Sequence, residues 1–148
     1  MNKHVIICAP AKAVEESFIT EAEGFFHQQG YKTERSKNLL GRHHYFSGTI
    51  EERVADFQSA IDHPEAFIIL CARGGYGSLQ LMPHLNWDNF IKKPKILIGC
   101  SDITVFHQFL ASKNLPSLHA SMPLNFKENT ELSLSTMMDA IEERPYSL

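Results

Sequence analysis

Nothing in this sequence is apolar for long enough to cross a membrane, because every hydrophobic run is broken by polar or charged residues well short of a bilayer's thickness. Basic residues are too few and too scattered to form a nucleic-acid or anionic-membrane surface: 14 Lys and Arg stand against 17 Asp and Glu, for a net charge of -3. Cysteine is scarce. Cys8, Cys71 and Cys100 are odd in number and lack metal-ligand spacing, so they read as small buried hydrophobes in a reducing compartment, and no metal or other cofactor is expected. Internal repeats and low-complexity tracts are also missing. Met1-Asn2-Lys3-His4 leads straight into a strand with no signal-peptide apolar region, which makes the cytoplasm the expected compartment. What remains is a chain of 148 residues, 43% hydrophobic and 21% charged, enough for one domain whose core needs no disulfide or metal.

Short apolar runs alternate with helical patterns. His4–Ala9, ended by Pro10, reads as a central strand, and the apolar spacing of Val14, Phe18, Ile19, Ala22, Phe25 and Phe26 predicts a helix from Ala13 to Gln29, closed by Gly30. Tyr31–Ser36 is a more polar strand suited to a sheet edge. The loop Leu39–Gly48 is rich in aromatics and histidine, and should pack on something. Thr49-Ile50-Glu51-Glu52 is a capping box opening a helix through Val54, Phe57, Ala60 and Ile61, on which Glu51, Glu52 and Arg53 read as a solvated face. Ala66–Ala72 is a third strand, Lys95–Gly99 a fourth and Leu115–Met122 a fifth carrying His119; Thr130–Glu143 has the pattern of an amphipathic helix. This alternation predicts an α/β fold with a doubly wound, mostly parallel sheet, in which ligands bind outside the carboxyl ends of the strands.

Two features converge on that edge. The third strand runs into Arg73-Gly74-Gly75-Tyr76-Gly77-Ser78, where adjacent glycines allow positive φ and leave backbone N–H groups open to a ligand. As a phosphate loop the match is poor, because no Lys follows and the G-x-G-x-x-G spacing is not met. The fourth strand runs through Gly99 and Cys100 into Ser101-Asp102-Ile103-Thr104, a strand-to-helix elbow that can expose a serine hydroxyl beside the N–H of the next residue. Without its neighbours, Ser101 reads first as a plain helix cap.

A serine nucleophile needs a base, and none stands out. His119 lies on a strand, where histidines are usually core residues; His43 and His44 sit in the aromatic loop; His107 lies too far along its helix to turn back. Asp102 adjoins the serine and should point along the helix start, so it is a poor orienting carboxylate. Strand alternation sets Cys100 on the opposite face from Gly99 and Ser101, against a role as nucleophile.

The pair Arg73-Gly74-Gly75-Tyr76-Gly77 and Gly99-Cys100-Ser101-Asp102-Ile103-Thr104, with Pro94-Lys95 between, resembles the N-terminal domain of the serine L,D-carboxypeptidases, a family that includes murein tetrapeptide carboxypeptidases and microcin C self-immunity enzymes. Similarity runs from the first strand to about Met122-Pro123. The resemblance implies a Rossmann-like domain related to the class I glutamine amidotransferases, with Ser101 as nucleophile. It also implies an oxyanion hole from the N–H groups of Asp102 and Gly75, with Gly74 and Tyr76 in contact with substrate. The substrate would be a murein-derived peptide that loses a terminal D-amino acid, and the Glu and His of the triad would come from a C-terminal domain absent here. Residues 1–124 would then be the nucleophile-bearing domain, and residues 125–148 a terminal helix and the start of a linker. Alone, the chain is expected to be inactive, and its uncovered face should favour self-association into a homo-oligomer. Ala11 and Lys12 depart from the small hydroxyl residues usual after Pro10, and His119-Ala120-Ser121-Met122 departs from a His-Gly-Pro-Met-like run. Two other readings remain, a microcin-immunity-type amidase and a non-catalytic module that binds a carboxylate or phosphate at the helix start.

Overall fold

The computed structural model describes residues 3–146, so Met1, Asn2 and the final Ser147-Leu148 of the expected linker lie outside the described residues. Five parallel strands, β1 (His4–Cys8), β2 (Lys32–Arg35), β3 (Ile68–Cys71), β4 (Ile96–Gly99) and β5 (Leu118–His119), form one sheet in the order β2-β1-β3-β4-β5. Buried runs such as Val5-Ile6-Ile7 and Ile68-Ile69-Leu70 place alternate side chains on opposite faces, so both faces must be covered. On one side Val5, Ile7, Ile68, Leu70 and Ile98 meet helix α1 (Glu16–Gln28) and helix α5 (Glu131–Ile141) through Phe26, Met137 and Ile141. On the other, Ile6, Ile69 and Leu97 meet α2 (Ile50–Asp62), α3 (Asp88–Lys92) and α4 (Thr104–Ser112) through Phe57, Phe90 and Phe106. The sheet is doubly wound as the sequence pattern predicts.

α1 begins three residues later than its apolar pattern suggests. Ala13 and Val14 are buried, but they belong to an extended segment in which Ala13 N–H donates to Tyr45 O (3.2 Å). The capping box of α2 is formed in both directions, with Thr49 Oγ1 accepting from Glu52 N–H (3.2 Å) and Glu52 Oε2 from Thr49 N–H (2.9 Å). Lys95 is buried beside β4 and its ammonium donates to Ile61 O (2.8 Å) in the last turn of α2, where the helix dipole favours a cation. The fifth strand is only two residues long, since just Leu118 and His119 find partners, in Ile98 and Gly99.

One buried histidine, His4, and one half-buried, His107, make stability depend on pH. His4 has its pKa lowered by burial first and then by Lys32 and His63, and His107 has its pKa lowered by burial. The unfolded chain, with histidines near their ordinary value of about 6.5, therefore binds more protons than the folded one as pH falls through that value. The urea midpoint is expected to fall between about pH 7.5 and pH 5.5, and His4→Leu should flatten that slope. A slope unchanged in His4→Leu would show that His4 does not contribute.

Candidate active site

The strand order reverses between β1 and β3, and the loops leaving these two strands flank the crevice that such a switch point creates. The loop after β1 carries Pro10, Ala11 and Lys12; the loop after β3 is the glycine loop. They are joined by Lys12 N–H donating to Gly74 O (3.3 Å) and by Arg73 Nη1 donating to Ala13 O (3.1 Å). The next loop along the same edge, after β4, holds Ser101.

Ser101 is exposed and has φ 58°, the left-handed conformation that non-glycine residues seldom adopt. It follows β4 after a single extended residue, Cys100, and opens a 3-10 turn (Ser101–Ile103) that runs on into α4. Its hydroxyl bonds no other described residue. Asp102, the second residue of the turn, has an N–H without a partner inside the helix. Its carboxylate turns away, with Oδ2 accepting from Ser78 N–H (2.9 Å), and so ties the elbow to the glycine loop instead of orienting a base. The two loops touch closely: a methyl group at Gly74 would lie 3.3 Å from Asp102 N and 3.4 Å from Cys100 O. Gly75 takes φ 97°, and its N–H is unused among the described residues. Thus Ser101, Asp102, Gly74 and Gly75 are brought together. Tyr76, with φ 90° and 60% exposed, stands at the rim near Phe46.

The aromatic loop packs here, as its composition demands. Phe46 bridges to both Lys12 and His43, the Tyr45 hydroxyl donates to Gly75 O, and the Ser47 hydroxyl donates to Ala9 O. His43 and His44 are exposed, their rings in edge contact with each other.

Arg53 overturns its reading as part of a solvated face. It is 2% exposed and donates to Pro10 O (3.0 Å), Gly48 O (3.2 Å), Gly77 O (3.2 Å) and Gln80 Oε1 (2.8 Å), with its guanidinium 4.4 Å from the Phe46 ring centroid. One side chain on α2 therefore binds the loops after β1 and β3 and the aromatic loop. The helical spacing Arg53, Phe57, Ala60, Ile61 was the available signal, since all four share the buried face.

None of the described histidines is hydrogen-bonded to Ser101. His119 is exposed on β5 beside Gly99. His107 does turn back, contrary to its expected placement, but to the Gly99 carbonyl: Nε2 lies 2.8 Å from Gly99 O, and Nδ1 lies 2.7 Å from Ser117 Oγ. A carbonyl accepts only, so the ring carries its proton on Nε2 and holds the end of β4. The alternation expected at Cys100 ends at Gly99; Cys100 is partly buried against the core cluster on the α2, α3 and α4 side of the sheet, and burial raises its thiol pKa. Cys8 and Cys71, paired in register, are buried and their thiols are likewise pushed up, so none of the three has the character of an active thiolate.

One histidine–carboxylate group among the described residues has metal-ligand spacing, His4, Glu34 and His63, whose donor atoms lie within 4.8 Å of one another at the amino end of β1, away from Ser101. His63 Nδ1 accepts the N–H groups of Glu65 (3.2 Å) and Ala66 (3.0 Å), so the ring proton sits on Nε2, facing Glu34. The lone pair that a metal would need is not presented.

The sequence profile of the LD-carboxypeptidase N-terminal domain matches residues 5–120. The chain belongs to this family. It is similar to the murein tetrapeptide carboxypeptidase of Pseudomonas aeruginosa (33% identical over 120 residues, 80% of this chain and 39% of the relative) and to the microcin C7 self-immunity protein MccF of Escherichia coli (34% identical, 65% of this chain and 28% of the relative). Among solved structures it matches a muramoyltetrapeptide carboxypeptidase from Oxalobacter formigenes with TM-score 0.82 and 26% identity, over 93% of this chain and 47% of that one. It also matches MccF bound to glutamyl sulfamoyl guanosine, with TM-score 0.85 and 24% identity, over 99% of this chain and 45% of that one, which is a likeness of fold. This LD-carboxypeptidase chain thus spans less than half the length of these relatives and structural neighbours.

Proposed function

We infer that this LD-carboxypeptidase domain is the nucleophile-bearing half of a serine-type hydrolase that releases a terminal D-amino acid from an L,D-linked murein peptide. The observation that carries this reading is the exposed, left-handed Ser101, set after β4 with the glycine loop pressed against the following peptide. A scissile carbonyl placed over Ser101 would have its developing oxyanion between the N–H groups of Asp102 and Gly75, and Gly74 and Tyr76 would line the approach.

In that mechanism the Ser101 hydroxyl attacks the carbonyl carbon while a base takes its proton. The tetrahedral intermediate collapses with the proton passing to the leaving amine, the D-amino acid departs, and water hydrolyses the acyl-enzyme. His107 is committed to Gly99 O and Asp102 to Ser78 N–H, which supports a base and an orienting acid from outside the described residues. We assign them to a His and a Glu of the remaining half that the longer relatives carry. On this reading residues 1–124 are the catalytic N-domain, and residues 125–148 supply α5 and the start of the connection. Leu132 on α5 is 71% exposed, a surface that favours self-association of the chain alone. Three unpaired thiols suit a cytoplasmic site of action.

A second reading has a specific support in the MccF relative: an amidase acting on a microcin-type peptide–nucleotide. Both are tested by supplying the completed two-half protein with an L,D-murein tetrapeptide and with an aminoacyl-sulfamoyl nucleoside. Release of D-alanine from the first supports the carboxypeptidase. Cleavage of the second alone would move the amidase to the front.

A further inference from the structure

The edge that carries Ser101 also holds a cation for which the fold has no use. Lys12 lies at the switch point, its N–H fixed on Gly74 O. Its stem runs along Gly75, where a methyl group would sit 3.4 Å from both Lys12 Cβ and Cδ, and its Nζ lies 4.5 Å from the centroid of the Tyr45 ring. Among the described residues no carboxylate or hydrogen-bond acceptor meets that ammonium. The other two cations nearby are engaged, Arg53 on four acceptors and Arg73 on Ala13 O. Tyr45 is itself anchored, because its hydroxyl donates to Gly75 O. A ring under an ammonium positions the charge without neutralising it, and Lys is a compact point charge on a flexible stem, free to meet an anion.

We propose that Lys12 receives the free α-carboxylate of the ligand's terminal residue. This rests on the hydrolase reading. If the scissile carbonyl oxygen is held at Gly75 N–H, the carboxylate of the leaving residue lies one Cα beyond the scissile nitrogen, and the Lys12 stem packs along that same Gly75. The ammonium would make the site select peptides that end there over chains that continue or are amidated, which is what distinguishes a carboxypeptidase from an endopeptidase.

The test is a binding measurement on the 148-residue chain, separate from turnover. The amide signals of Gly74 and Gly75 are followed by NMR during titration with an N-acetylated L,D-dipeptide bearing a free carboxylate, and with its C-terminal amide. The free acid is expected to bind about tenfold more tightly than the amide. Lys12→Met, which keeps the stem over Gly75 and Tyr45, should abolish that preference; Lys12→Arg should keep most of it; and added salt should weaken it in the wild type. Ser101→Ala should leave the preference intact. Equal binding of acid and amide by the wild type, binding of neither, or an undiminished preference in Lys12→Met would overturn the assignment. A carboxylate preference that depends on Lys12 in a protein whose completed form hydrolyses no L,D-peptide would instead overturn the hydrolase reading and leave Lys12 as the anion receptor of a binding module.

Discussion

Replacing Ser101 with alanine is expected to lower kcat of the completed two-half protein on an L,D-tetrapeptide by about 10⁶-fold, to the rate of about 10³–10⁴ over water that the oxyanion hole and binding alone sustain. KM should change little, because the hydroxyl contributes almost nothing to ground-state binding. The 148-residue chain with its native serine should fall in the same low range, since loss of either nucleophile or base disables the same step and the two losses do not add. D-alanine release, followed by coupled oxidation, reads both. Full activity in Ser101→Ala would remove the serine from the chemistry. Comparable activity of the short chain and the completed protein would place the base within these residues and reopen His119, which lies beside Gly99 on the neighbouring strand.

The second large effect concerns Arg53. Its removal leaves Pro10 O, Gly48 O and Gly77 O without their donor and opens a gap against Phe46. Each buried acceptor left unpaired costs about 1–3 kcal/mol, and partial hydration should hold the total for Arg53→Met to about 3 kcal/mol. For a domain of this size that lowers Tm by about 6–12 °C, measurable by calorimetry and by the urea midpoint. Arg53→Lys should recover only a small part, because one ammonium cannot reach acceptors arranged for a planar fork. Three loops of the candidate site meet at this guanidinium, so the loss should also disturb the amide signals of Gly74 and Gly75. A melting temperature within about 1 °C of wild type would show that those loops are held by their own contacts.

The architecture was readable because parallel strands buried on two faces leave an unmistakable trace, as in Val5-Ile6-Ile7-Cys8 and Ile68-Ile69-Leu70-Cys71. The juxtaposition of the glycine loop and Ser101 was readable for the same reason, since both follow strands that end at one edge. Arg53 was missed because local charge pattern and helical phase give opposite answers there. Glu51-Glu52-Arg53 looks solvated, while the phase of Phe57 and Ile61 puts Arg53 inside. His107 was misjudged because distance along a helix is not distance in space: β4 and α4 fold back on each other at the elbow, and the imidazole reaches the Gly99 carbonyl across that bend. The late start of α1 has a similar origin, for Val14 is apolar to join the core beside Val5 and Ile7 and Ala13 is held by its N–H on Tyr45 O, neither in a helical turn. The left-handed backbone of Ser101 leaves no mark in the sequence, because only a glycine at that position would have advertised it.

That backbone also determines what directed improvement of this domain would yield. A non-glycine residue in the left-handed region costs about 1–2 kcal/mol, a burden that glycine at position 101 would shed. Selection of variants for thermal robustness alone would therefore favour discarding the serine, and any screen meant to harden this domain has to score chemistry alongside melting.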